Sequence, residues 1–141
     1  MIHEANFKIR TFHTDAFGHV NNARYLELLE EARWQFADRI KLVEMLRERD
    51  LGFIIMDLRI RFREPVCEGD TICVATSLIT LGTASGEVKQ QVIKQGSDKI
   101  ATNCLSHFIL VERGSGRSVP IDGNIRELLL KIIESESAAP V

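Results

Sequence analysis

The chain has little of what would tie it to a secreted, membrane or nucleic-acid setting. It holds three cysteines, Cys67, Cys73 and Cys104, an odd number without a CxxC pair. Such a set suits buried thiols in a reducing compartment better than a disulfide or zinc framework. No apolar run approaches the roughly 18 residues of a membrane helix. The N-terminus lacks a basic region followed by an apolar block, so no secretory signal is expected. A formal net charge of −2 supplies no basic field for nucleic acid. Prolines number only three, and the composition is 45% hydrophobic and 27% charged, which suits a globular chain. The exception is Glu134 to Val141, which reads as a tail. One cytoplasmic domain over residues 1–134 is expected, with a flexible tail at 135–141.

What is present divides by period. Ala5 to Phe12 alternates apolar and polar side chains, as a half-buried strand does. From Tyr25 the period becomes helical. Tyr25, Leu28, Leu29, Ala32 and Phe36 form a stripe over a helix from about Ala23 to Phe36, with Leu26 and Trp34 widening it. Asn21 or Asn22 suits the N-cap. A second helical stretch runs from about Lys41 to Arg49, and Gly52 ends it. Leu58 to Arg63 alternates strictly, then Pro65 and Gly69-Asp70 break the strand. Strands follow at Thr71–Leu81, Glu87–Lys94 and Ile100–Val111, joined by turns at 82–86 and 95–98. A loop containing Gly114-Ser115-Gly116 and Pro120 leads to a closing helix at Ile125–Ile133. Short connections imply antiparallel neighbours. The spacing predicts an α+β architecture, an antiparallel sheet of about five strands curled around the long first helix.

The segment Thr14-Asp15-Ala16-Phe17-Gly18-His19-Val20-Asn21-Asn22 gathers a carboxylate, an imidazole and two amides. It stands where a strand hands over to a helix. Unpaired N–H groups collect at a helix N-terminus and favour negative charge, including a developing oxyanion. Asp15 suits a general base or nucleophile, and equally a turn residue before Gly18. His19 suits a structural or a catalytic role, and Tyr25 suits core as well as site.

With those residues in view, the chain resembles a hotdog-fold acyl-CoA thioesterase of the 4-hydroxybenzoyl-CoA thioesterase-like superfamily. The likeness rests on the Thr14–Asn22 segment leading into Tyr25-Leu26-Glu27 and Glu31-Ala32-Arg33. It rests also on Phe62-Arg63-Glu64-Pro65-Val66-Cys67-Glu68-Gly69-Asp70 and on the Gly116–Ile121 exit. The resemblance implies a hotdog fold, acyl-CoA as substrate, no cofactor, and sheets paired edge to edge in a homodimer or homotetramer. It puts Asp15 in the place of the catalytic aspartate and the Asn22 backbone N–H on the thioester carbonyl, with His19 assisting. Acyl carrier protein thioesterases resemble the motif too, but carry an asparagine where this chain has Phe17. A non-catalytic acyl-CoA-binding protein is the alternative of another class.

Other residues compete. A second thioesterase lineage carries its acid within the central helix, which would nominate Glu27, Glu30 or Glu31. His13, Asp15 and His19 invite a metal, though their spacing fits no common zinc pattern, and no metal is expected. Gly114-Ser115-Gly116 is not the Gly-x-Ser-x-Gly of a serine hydrolase. Arg59, Arg61 and Arg63 share a strand face by period two, either merely solvated or meeting coenzyme A phosphates. Arg61 and Arg63, with Tyr25, are the expected substrate contacts.

Overall fold

The computed structural model describes residues 2–97 and 99–137. The elements run β1 (His3–Lys8), a 3-10 turn (Thr11–His13), α1 (Asn22–Arg39), α2 (Leu42–Glu48), β2 (Leu51–Phe62), β3 (Thr71–Leu81), β4 (Ser85–Lys94), β5 (Ile100–Glu112) and α3 (Gly123–Ser137). The strands form one antiparallel sheet in the order β1-β3-β4-β5-β2. This is the α+β arrangement expected from the sequence.

Helix α1 starts where Asn21 caps it, its side-chain oxygen accepting from the Ala23 N–H at 2.8 Å. Tyr25, Leu28, Leu29, Ala32 and Phe36 are its buried residues. Burying each large member of that stripe is worth about 1.5–3 kcal/mol. Leu26 and Trp34 do not widen it. They remain 42% and 54% exposed on the flank of the helix.

Several boundaries differ from the sequence reading, three of them for a physical reason that the structure shows. The first strand ends at Lys8, because the Arg10 N–H turns to the His13 Nδ1 at 2.9 Å and the chain curls into a 3-10 turn. Gly52 does not end α2. Asp50, at φ 51, turns the chain, and β2 has already begun at Leu51. The early half of β2 escaped the alternation test because a bulge between Ile55 and Asp57 shifts its register. Helix α3 runs to Ser137, so residues 135–137 are helical rather than part of the expected tail, and residues 138–141 lie outside the described ones.

One sheet face carries the whole core, and two helices share it rather than α1 alone. Toward the N-terminal end of α1, Leu28 and Leu29 pack with Ile72, Val74, Val92 and Cys104. Toward its other end, Phe36 joins Leu78, Phe108, Leu110 and the α3 residues Ile125 and Leu129. Buried Thr76, Gln90 and Ser106 lie on this face between the two clusters. Gln90 donates to the Leu29 carbonyl at 2.9 Å and to the Thr76 hydroxyl at 3.0 Å, and accepts from Arg33 at 3.1 Å. A buried amide must satisfy its donors and acceptor, and this one ties α1 to the middle of the sheet. Gly86 is fixed by packing: a Cβ there would lie 2.4 Å from the Phe108 ring. Of the three thiols only Cys104 is fully buried, while Cys67 and Cys73 are half-buried.

Candidate active site

The loop between β1 and α1 is clamped at both ends. Ile9 and the β2–β3 connection exchange backbone bonds, Ile9 N–H to the Asp70 carbonyl at 2.8 Å and Gly69 N–H to the Ile9 carbonyl at 2.9 Å. At the helix side, the Val20 N–H meets the Val66 carbonyl at 2.8 Å and the Asn21 N–H meets the His13 carbonyl at 2.9 Å. Between these clamps Asp15 and His19 close a tight turn. The Asp15 N–H donates to the His19 carbonyl at 2.8 Å, and Gly18 provides the positive φ of 74° that the turn needs.

The Asp15 side chain takes part in its own turn. Its Oδ1 accepts from the Phe17 N–H at 2.9 Å and from the His19 N–H at 3.4 Å. Its Oδ2 has no partner among the described residues. The turn reading and the chemical reading of Asp15 are therefore compatible: one oxygen braces the loop and the other is open. The cap is Asn21, so Asn22 is the first helical residue. Its N–H donates to no acceptor among the described residues, as expected for the first turn of a helix.

These groups face one pocket of about 290 Å³. Asp15, His19, Asn22, Tyr25, Phe62 and Arg63 line it, with Val20, Glu64, Pro65 and Val66. Tyr25 is at once core and lining: it is only 3% exposed, its ring meets Phe62 at 5.2 Å, and burial pushes its phenol pKa up. Five of the six expected site residues are thus brought together. Arg61 is not. Ile60 packs against the core and Phe62 lines the pocket, so the pleat turns Arg59 and Arg61 to the opposite face. Arg63 parts from that stripe because β2 ends at Phe62, and the Arg63 N–H turns to the Ala101 carbonyl at 2.8 Å.

The competing residues lie elsewhere. Glu27 pairs with Arg24, and Glu31 accepts from Gln35 at 3.1 Å. Neither they nor Glu30 line the pocket. His13 turns its Nδ1 to Arg10, and burial lowers its pKa. Ser115 braces a turn, its hydroxyl 2.8 Å from Glu112. A larger cavity of about 400 Å³ opens beside the other end of α1, lined by residues of α1, α2 and β2. Periodicity did not reveal it, since β3, β4, β5 and α3 add to those walls from separate parts of the chain.

Comparison with known proteins agrees with this architecture. The profile of the thioesterase-like superfamily matches residues 9–129. The long-chain acyl-CoA thioesterase FadM of Escherichia coli (strain K12) is 27% identical over 131 residues, covering 93% of this chain and 99% of that one. The crystal structure of YbaW, a probable thioesterase from Escherichia coli, superposes with a TM-score of 0.85 at 27% identity, covering 93% and 98% of the two chains. A DHNA-CoA thioesterase from Staphylococcus aureus shares the fold, with a TM-score of 0.87 at 14% identity over 99% of this chain and 97% of that one.

Proposed function

The chain belongs to the thioesterase-like superfamily, and we propose that it hydrolyses acyl-CoA thioesters to the free acid and coenzyme A. One observation carries the reading: Asp15, with one oxygen open, and Asn22, with its N–H unpaired among the described residues, line the same pocket. A thioester carbonyl held by the Asn22 N–H presents its carbon to that pocket. Asp15 then takes a proton from water, whose oxygen attacks the carbon, or attacks it directly to give an anhydride that water opens. The carbonyl oxygen becomes an oxyanion at the helix N-terminus, where one preorganised donor is worth roughly 3 kcal/mol of barrier. Collapse breaks the C–S bond, and the departing thiolate takes up a proton. His19, on the same wall, orients the water or the leaving group. Arg63 at the pocket edge meets phosphate of the coenzyme.

We assign the working form as a homodimer or homotetramer in the cytoplasm. Strand β2 lies at the end of the sheet, and its inner-face side chains Leu58 and Phe62 stay 37% and 46% exposed, an apolar surface that a second copy would cover. No helix among the described residues is long and apolar enough to cross a membrane. A thiol-release assay over acyl-CoA thioesters of increasing chain length tests the reading. Release that saturates with substrate is expected. Binding without release from any thioester would make the chain a non-catalytic acyl-CoA-binding protein.

A further inference from the structure

The geometry points to a second specificity element: the Arg33 guanidinium, at the floor of the 400 Å³ cavity, reads an oxygen function at the far end of a long acyl chain. The inference rests on the thioesterase reading of the Asp15 pocket. The cavity walls are mostly apolar, including Leu42, Leu46, Phe53 and Phe108. Arg33 is the one charged lining residue that is not exposed. It is half-buried, and burial lowers its pKa. One of its five N–H donors is used, by Gln90 at 3.1 Å. No carboxylate pairs with it among the described residues. Glu30, one turn earlier, and Arg47 and Arg113 also line the cavity, all three exposed, so its lining carries more positive than negative charge. The carboxylate nearest Arg33, that of Glu30, is exposed and makes no ion pair with it, so a partly desolvated cation keeps donors to spare, and a ligand that brings an acceptor fills them.

The cavity is placed to receive the tail of a thioester bound at Asp15. Helix α1 and strand β2 flank both spaces. Tyr25 and Phe62 line the pocket at one end, Trp34 and Ile55 line the cavity at the other. Between them Leu58, 37% exposed, and Ile60 continue an apolar wall along β2. Asn22 and Arg33 are eleven positions apart on α1, about 16 Å along its axis. An extended chain advances about 1.2 Å per bond, so about fourteen bonds join the thioester carbon to Arg33. A chain of that length ending in a carboxylate, or in a hydroxyl, carbonyl or other acceptor, fits. A short chain stops in the apolar stretch.

The test compares kcat/KM for tetradecanoyl-CoA and for the same thioester ending in a carboxylate, beside the matching octanoyl pair. The wild type is expected to prefer the long carboxylated chain about tenfold, as one charge-assisted hydrogen bond allows, and to show no such preference between the octanoyl pair. In Arg33→Met the long-chain preference falls to about one. A wild-type ratio of one or less for the long pair overturns the inference, as does an undiminished ratio in Arg33→Met. Should that variant fail to fold, the long-against-short contrast in the wild type decides. Absence of thiol release from all four thioesters defeats the thioesterase reading instead. Calorimetry with their non-hydrolysable thioether analogues then decides the inference alone: the same preference in Kd sustains it, and equal affinities overturn it.

Discussion

At its N-terminal end α1 meets a shallow polar pocket built from backbone turns, with Asp15 held by its own loop and the Asn22 N–H free. At its C-terminal end the same helix meets a larger apolar cavity built from side chains of several elements. The first space depends on a short turn around Asp15 clamped by backbone bonds to the β2–β3 connection, the second on packing across the whole sheet. Between them Gln90 ties the helix to the sheet. Chemistry and selectivity can therefore vary separately along one rigid element.

The largest expected effect separates the two ends most sharply. Asp15→Asn keeps an oxygen for the Phe17 N–H but removes the charge, so kcat falls roughly 10²- to 10⁴-fold with little change in Tm. Glu31→Gln, a surface change, leaves kcat within about twofold. Near-normal turnover of Asp15→Asn would move the chemistry away from the pocket.

Gly86→Ala strikes the other end. Its Cβ would crowd the Phe108 ring and lie 2.7 Å from the Thr80 carbonyl oxygen, so overpacking of about 1–3 kcal/mol is expected. Thermal unfolding reads this as a drop of roughly 5 °C. A Tm equal to wild type would show that the cavity end repacks freely.

A smaller effect sharpens the polar end. Arg63→Ala raises KM for acyl-CoA about threefold or more, on the scale of one exposed charged contact, while Arg61→Ala on the opposite face leaves it unchanged. A KM unchanged from wild type in Arg63→Ala would remove coenzyme recognition from that residue.

The smallest effect is a pH dependence. His3 is 5% exposed with its ring 4.5 Å from Phe36, and burial holds its pKa below 6.5. The unfolded chain binds a proton that the folded chain refuses, so stability declines as pH falls below about 6.5. His107 has the opposite sign. Its hydrogen bond to Asp57, 2.6 Å long, raises its pKa, and its contribution is lost as pH rises through the raised value. Denaturant midpoints of His3→Phe should decline less toward acid than those of the wild type. Parallel curves would clear His3 of the effect.

The polar end was legible in the sequence because its parts are local. Asp15, His19 and Asn22 lie within eight residues, and the switch from alternation to helical period marks the junction. The cavity end was not. Nothing near Arg33 in the sequence marks it as a cavity residue, because its partner Gln90 is 57 positions away. The first half of β2 was hidden by its bulge, which breaks the period on which a strand is recognised. Arg63 was grouped with Arg59 and Arg61 because period two holds only while the strand lasts, and the strand stops one residue before it. Tyr25 suits core and site alike from its spacing, and its burial beneath the pocket makes it both.

Strand β2 has a consequence for the life of a newly made chain. On its outer edge the peptide groups of alternate residues face away from β5, and the strand bears Ile54, Met56 and Phe62 in the open. Such an edge is a template for indiscriminate pairing with any extended polypeptide. Asp57, Arg59 and Arg61 interrupt it with charge, and the bulge at Ile55/Asp57 twists it out of register with a flat neighbour. Neutralising those three residues together is expected to speed aggregation of concentrated protein, read by light scattering, before it alters any rate of turnover.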